Sequence, residues 1–574
     1  MTCLLLLPAA ALAATLEIEV RGVDRPLQQA IRDALVPPLL AADDDRLNRQ
    51  RLRSFQRQLP RMVRDTLEPY GYFHAESSNR LEHPAADLYV IVIDVAPGEP
   101  LRVTSVDLVL LDDLDRHARL VALVDNFPLQ VGAVLRQDLY DKAKAELRQE
   151  AIGLGYLDAN YIRQEILVYL EQRSAAIVLH LAGGLRYRFG ETRYENQAGY
   201  PERFLNRFLS YRRDEPFSYS LLGQTQINLL DADLFRTVSV RPVTEAATAG
   251  RVPVAINLTT LPRHRLRPGV GYGTDTGARV SLEYRNLNLF SLAHELHGKL
   301  LLAEWRQSVE TTYIIPDPRR LDSVTLLRLG VERENIDSFY RREIFSEAEY
   351  RRSFGRGYSG SLFLRLMTER SRIADQNDRS QLLLPGVRLG WQRIDDPLNP
   401  RRGAKIQFEL LGGDENLLSD TSLLQLSGDV ATLLPLPSNF SLHLRLRGGT
   451  TWHKDSFSTL PVSLRYFAGG DRSVRGYKYN SLGPTNADGE VIGGKHLLVG
   501  SFELEKRFRT HWGAAIFYDV GNAFDNVDDY RLKQGAGIGV RRYTRIGAIR
   551  IDLARQLGED GNRLRLHLSV GLGW

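Results

Sequence analysis

Two hydrophobic periodicities divide this chain near residue 260. Before that point short alternating runs give way to helical spacing and back again. Leu16, Ile18 and Val20 alternate with Glu17 and Glu19, the pattern of a half-buried strand. Leu52, Phe55, Leu59, Met62, Val63 and Leu67 recur at three- and four-residue steps, which predicts a helix. The apolar run 88–95 then predicts another strand. The order is strand, helix, helix, strand, strand, and it recurs. Gly71-Tyr72-Phe73 follows the second helix of one copy, Gly155-Tyr156-Leu157 follows a helix over 138–153, and Asp233-Leu234-Phe235 follows one over 217–230. Each copy closes with an apolar strand, at 88–95, 176–181 and 252–258, and Pro97-Gly98 and Gly183-Gly184 serve as joints. A repeat of about 80 residues is too long for a solenoid and fits small tandem domains.

After about residue 262 the helical signal vanishes, and short alternating segments separated by polar turns take over. In 563–574, Leu564, Leu566, Leu568, Val570, Leu572 and Trp574 share one face, while Arg563, Arg565, His567, Ser569, Gly571 and Gly573 share the other. Arg550 and Asp552 alternate with Ile549, Ile551 and Leu553 in the same way. Such polar faces carry too much charge for a sandwich core. They fit a membrane barrel with aliphatic rows toward lipid and a charged, water-facing interior. All five tryptophans (Trp305, Trp391, Trp452, Trp512, Trp574) fall in this half, as an interfacial girdle requires. At about 20 residues per strand and connection, this half predicts 16 antiparallel strands, an even number as closure expects.

Composition narrows the class. Hydrophobic residues make up 43% and charged residues 25%, with mean hydropathy -0.27. These values exclude a helical membrane protein but not a barrel, whose alternating strands average to mild hydropathy. The net charge of +5 comes from basic and acidic residues interspersed along the chain, without the basic face a nucleic-acid binder shows. The single cysteine, Cys3, lies in an apolar start that ends in Ala11-Leu12-Ala13, a small-x-small pattern. Residues 1–14 read as a secretory leader, although no Lys or Arg precedes the apolar run. The expected divisions are 1–14 leader, 15–98, 99–183 and 184–261 as three α+β domains, and 262–574 as the barrel.

Enzymatic motifs fail on spacing, and no catalytic residue, cofactor or metal is expected. His294-Glu295-Leu296-His297 is not HExxH and would split across two faces of a strand. Gly357-Tyr358-Ser359-Gly360 lacks the spacing of a nucleophile elbow. Gly269-Val270-Gly271-Tyr272-Gly273 has no helix after it to bind phosphate.

One connection, 463–495, is dense in Gly, Arg and Tyr. Downstream, alternation puts Ser501 and Glu503 on a polar face, and Asp519 on a lumenal face if Tyr518 and Val520 face lipid. An inward-folded loop would bring Arg475 to Asp519 and Glu503, where a guanidinium fork suits a carboxylate. The VRGY of Val474, Arg475, Gly476 and Tyr477, the GSFE of 500–503 and the FYDVG of 517–521 resemble the motif set of the Omp85 superfamily. The resemblance implies that Arg475 of the sixth extracellular loop contacts wall residues of barrel strands 12 and 13, here Glu503, Asp519 and the neighbouring Gly521. The longer run 465–479, with 269–280, is similar to the translocation-and-assembly branch of that family. It implies three POTRA domains of β-α-α-β-β order in the periplasm before a 16-stranded antiparallel transmembrane β-barrel in the outer membrane. It further implies client outer-membrane proteins, an inner-membrane partner protein and contact with outer-membrane lipids. A seam between the first and last strands, marked by Gly271, Gly571, Gly573 and Trp574, would act as a lateral gate. A main insertase, a two-partner secretion pore and a passive porin-like channel stand as alternatives.

Overall fold

The computed structural model describes residues 15–40, 45–85, 88–396, 400–509, 511–528, 530–544, 547–558 and 563–571. The leader reading over 1–14, and Gly573 and Trp574, lie outside them.

The N-terminal part builds the same small sheet three times. The first unit comprises β1 (Thr15–Arg21), α1 (Arg25–Ala34), α2 (Asp45–Leu67), β2 (Glu76–Ala85) and β3 (Leu88–Ala96), with sheet order β1-β3-β2. The strand β3 is central, parallel to β1 and antiparallel to β2. A central strand needs apolar side chains on both faces, which is why its sequence is a near-continuous aliphatic run. On the covering helix Leu52, Phe55, Leu59, Val63 and Leu67 are buried against Val20, Ile91 and Ile93. Asp24 caps α1, its carboxylate accepting from the Leu27 backbone N–H at 3.1 Å.

The second unit repeats the plan with β4 (Arg102–Leu111), α3 (Ala118–Asp125), α4 (Gln137–Gly153), β5 (Asn160–Tyr169) and β6 (Ser174–Ala182), in the order β4-β6-β5. The third has β7 (Arg188–Asn196), α5 (Glu202–Leu205), α6 (Tyr219–Asp231), β8 (Phe235–Pro242) and β9 (Arg251–Thr260), in the order β7-β9-β8. The repeated Gly-Tyr step has a structural reason. The Gly71 carbonyl accepts from Leu101 N–H at 2.9 Å, and the Gly155 carbonyl from Tyr187 N–H at 2.8 Å. Each glycine thus ties one unit to the chain leading into the next.

The C-terminal part is a closed barrel in which each strand neighbours the next in sequence. Its first eight strands are β10 (His264–Gly273), β11 (Gly277–Leu289), β12 (His294–Ala303), β13 (Arg306–Pro316), β14 (Ser323–Asn335), β15 (Tyr340–Gly355), β16 (Tyr358–Ile373) and β17 (Gln376–Ile394). The remaining eight are β18 (Gly403–Gly413), β19 (Leu423–Leu436), β20 (Phe440–His453), β21 (His496–Phe508), β22 (Trp512–Phe524), β23 (Lys533–Thr544), β24 (Gly547–Leu557) and β25 (Leu564–Gly571). Alternation sorts the side chains as the sequence pattern requires. Leu329, Leu362, Ile516, Ile538, Ile551 and Leu564 stand exposed on the outer surface, while Glu334, Glu347, Glu369, Glu505, Asp552 and His567 are buried inside.

The interior charges are paired. Arg341 donates to Glu334 at 2.9 Å and Glu343 at 2.8 Å, and also bonds Glu332. Glu347 accepts from Arg365 at 2.8 Å and Arg388 at 2.9 Å. Pairing of this kind offsets the desolvation that lone lumenal charges would incur. His294 and His297 do face opposite ways: His294 meets the Tyr313 hydroxyl, while His297 and Arg285 meet Glu295.

Candidate functional site

The connection between β20 and β21 turns into the barrel and is fastened there along its length. Glu369 on β16 accepts from the backbone N–H groups of Val462 (2.8 Å) and Ser463 (3.2 Å). Arg465 donates to the carbonyls of Leu460 (2.7 Å), Ser458 (2.9 Å) and Ile492 (3.2 Å), so a buried side chain stitches the loop to itself. Val474 is fully buried in a small apolar cluster with Ala468, Tyr477, Leu482, Leu497, Val499 and Ala523.

Arg475 then reaches the wall. Its Nε and Nη2 donate to the two oxygens of Asp519 at 2.7 and 2.9 Å, a bidentate fork. Its Nη1 donates to Glu503 at 2.6 Å and to Asp552 at 3.3 Å, and its backbone N–H to Asp519 at 3.1 Å. The guanidinium carbon lies 3.5 Å from the centre of the Phe517 ring. Asp519 is 0% exposed. Ser501 donates to it at 2.6 Å, so its oxygens are fully engaged. Arg541, from β23, closes the network by donating to Glu503 at 2.9 Å and to Asp552. Alternation predicts that Glu503 and Asp519 face inward, an inward-folded loop would bring Arg475 to them, and the structure brings these three together. Gly521 lies on β22 opposite Val499, within the wall.

The loop also grips the seam where the barrel closes, through residues that sequence reasoning missed. Between β10 and β25 the only paired residues among those described are Gly273 and Ser569, whereas β10 pairs with β11 along its whole length from His264 to Gly273. Asp471 spans this seam. One carboxylate oxygen accepts from Thr274 Oγ1, past the end of β10, at 2.9 Å, and from His567 Nδ1 on β25 at 2.5 Å. The Asp471 backbone N–H donates to Asp275 at 2.6 Å. The tautomer follows from the partners: His567 Nε2 accepts from Gly476 N–H at 2.9 Å, so the proton sits on Nδ1. Thr274 completes the join, its N–H donating to the Leu568 carbonyl at 3.0 Å and its hydroxyl accepting from Leu568 N–H at 3.3 Å. Asp275, Asp471 and His567 bring donor atoms within 4.8 Å of one another, a set that can hold a metal ion. Hydrogen bonds already occupy the imidazole on both nitrogens.

The glycines expected at the gate have other partners. Gly571 pairs with Ala548 on β24 and Gly271 with Arg279 on β11. The Arg279 side chain lies over Gly271, where an added Cβ would come within 2.8 Å of Nε, and its guanidinium donates to the Val570 carbonyl. A side chain of β11 thus reaches past β10 to the backbone of β25.

Comparison with known proteins agrees with this geometry. Residues 272–574 match the Omp85 superfamily domain, and residues 17–97 match the POTRA domain described as TamA domain 1. The outer membrane protein assembly factor BamA of Nitratidesulfovibrio vulgaris is similar, at 22% identity over 386 residues, covering 60% of this chain and 48% of that protein. The chain therefore spans about half the length of that curated relative. The crystal structure of BamA from Haemophilus ducreyi lacking POTRA domains 1-3 shares the fold, with TM-score 0.68 at 17% identity, covering 82% of this chain and 99% of that one.

Proposed function

This chain belongs to the Omp85 superfamily, and from that premise we propose that it is a TamA-like component of the outer membrane, its POTRA domains in the periplasm, that assists the insertion or secretion of outer-membrane proteins, autotransporters among them. It works with the inner-membrane protein TamB, and it carries lipid between the membranes as a companion activity.

The observation that supports strand exchange most directly is the seam. Each strand edge is a row of unpaired N–H and C=O groups that can template an incoming strand. A closed barrel buries its edges by pairing, and here, among the described residues, β10 and β25 share one residue pair, supplemented by Thr274, Arg279 and Asp471. Opening this join exposes two edges. A client strand adds to one of them, and the loop keeps the rest of the wall in register through Arg475. The match of the first unit to a TamA-type POTRA domain supports the TamA-like reading over a BamA-like insertase.

The test is a disulfide across the seam. Gly273→Cys with Ser569→Cys, in a Cys3→Ser background, joins the two facing positions. The oxidised chain is expected to stop client assembly and the reduced chain to restore it. Full client assembly by the oxidised form defeats the gate, and an unchanged outer-membrane proteome after deletion of the chain defeats the assembly role.

A further inference from the structure

Five arginines stand together on the outer surface of the barrel without carboxylate partners. Strand register aligns four of them side by side: Arg333 on β14 faces Arg342 on β15, Arg342 faces Arg370 on β16, and Arg370 faces Arg379 on β17. Arg372 lies two residues beyond Arg370, opposite Tyr340 and Asn377. All five are exposed.

Neighbouring positions inside the barrel behave differently. Arg341, next to Arg342 in sequence, points inward and is held by three glutamates. The outward positions of these four strands alternate with the inward ones, and none of them is Asp or Glu. Most nearby acids are engaged elsewhere: Glu332, Glu334 and Glu343 serve Arg341, Glu369 serves the loop, and Asp337 pairs with Lys478 at 2.8 Å. Asp378, at an inward position of β17, lines the same hollow as Arg333, Arg370, Arg372 and Arg379, and Asp375 stands in the turn beside them, so two carboxylates face five guanidiniums. Among the described residues none of the five arginines makes an ion pair; Arg333 rests against the Tyr340 ring at 5.6 Å. Like charges directly opposite on adjacent strands repel. Four guanidiniums in one row therefore call for an anion.

The row's position specifies which anion. Two residues lower on the same strands, Val331 and Ile344 stand exposed, and beneath them come Leu329 and Leu366. Each such step is about 7 Å along the strand. The arginines thus crown the outward aliphatic surface. They crown it at the rim of the inward loop, since the adjoining turn bonds that loop, Ser338 Oγ donating to the Asn480 carbonyl at 2.8 Å.

We propose that the row Arg333, Arg342, Arg370 and Arg379, with Arg372, is a binding site for the phosphate groups of an outer-leaflet lipid, whose acyl chains cover the aliphatic rows beneath. This rests on the reading of the barrel as membrane-embedded. Guanidinium forks match phosphate oxygens two at a time, and arginine keeps its charge at any physiological pH. Adjacent forks one strand spacing apart suit a headgroup with more than one phosphate. The site lies on the wall made by β14–β17, away from the seam.

The full chain in phosphatidylcholine nanodiscs provides the test, with binding of bis-phosphorylated lipid A measured against its dephosphorylated form. Arg342→Gln with Arg370→Gln is expected to weaken binding of the phosphorylated lipid by about tenfold or more. Arg393→Gln with Arg542→Gln, which removes equal charge at the opposite rim, is expected to leave it unchanged. Equal binding by the first variant, or equal binding of the dephosphorylated lipid to the parent, overturns the proposal. Full displacement of the lipid by inorganic phosphate alone overturns its assignment to a lipid. If the double variant fails to insert, Arg370→Gln alone provides the same comparison. A chain that never enters nanodiscs defeats the membrane reading itself, which is a different result from insertion without lipid selectivity.

Discussion

Asp471 and His567 lie 96 positions apart in sequence and meet at 2.5 Å, joining the inward loop to the last barrel strand. The same carboxylate oxygen accepts from Thr274 beside the first strand, so one side chain holds both sides of the seam. Hydrogen bonds to charged groups contribute about 1.5–3 kcal/mol each. Asp471→Asn puts an amide where two donors converge and removes the charge. Backbone amides in β10 and β25 are then expected to exchange with solvent about tenfold faster or more. Lys478→Ala, which removes an exposed ion pair on the same loop, is expected to leave that exchange unchanged. Equal exchange in the parent and the Asp471→Asn chain would show that the seam does not depend on this clasp.

Arg475→Lys tests the anchor by geometry at constant charge. An ammonium cannot fork onto both oxygens of Asp519 while reaching Glu503. Breaking a buried pair costs about 3–5 kcal/mol. The loop over 454–495 is expected to become sensitive to protease in the detergent-solubilised chain. The unheated barrel is expected to keep its folded migration on a gel. A loop as resistant as the parent's would remove Arg475 from the anchoring role.

How much of this was legible beforehand depends on the distance over which a residue's surroundings are set. Alternation within one strand decides facing, and so the inward direction of Asp519, Glu503 and Asp552 could be read directly. The apolar run of β3 likewise announced a strand. What alternation cannot supply is which inward residue meets which, because that depends on barrel closure and strand stagger. Thr274 and Asp471 are 197 positions apart, and their contact exists only in the closed barrel. Gly271 is expected at the gate from its place on the first strand. Its actual neighbour is the Arg279 side chain, a cross-strand relation set by register. The four-arginine row was hidden for the same reason: each arginine is unremarkable in its own strand, and only the lateral register aligns them.

Arg541 supports the anchor from behind. It is 1% exposed and holds Glu503 and Asp552, two of the carboxylates that Arg475 also touches. Arg541→Met takes from Glu503 and Asp552 one of the guanidiniums that bond them. The temperature at which the barrel loses its folded migration is expected to fall. Adding Glu503→Gln is expected to recover part of the loss, because it removes a buried charge that has lost one of its partners. A fall that the second substitution deepens would indicate packing, not charge, as the contribution of Arg541.

Gly535→Ala tests whether seating of the loop requires space in the wall independently of charge. The glycine lies on β23, opposite Asp519 on one side and Gln556 on the other. A Cβ there would stand 2.0 Å from the Arg475 carbonyl oxygen, a backbone atom that cannot rotate away. Overpacking of this kind costs about 1–3 kcal/mol. Here the strain falls on the loop, because β23 is held on both sides by its ladder. The expected result is protease sensitivity over 454–495 like that of Arg475→Lys, with every charged group intact. Gly500→Ala serves as the comparison: its Cβ would meet Val520 Cγ1 at 3.5 Å, an ordinary contact, and the loop is expected to stay protected. If both substitutions left the loop equally protected, the backbone of Arg475 would have room to shift, and the close approach of loop to wall would not be what holds it.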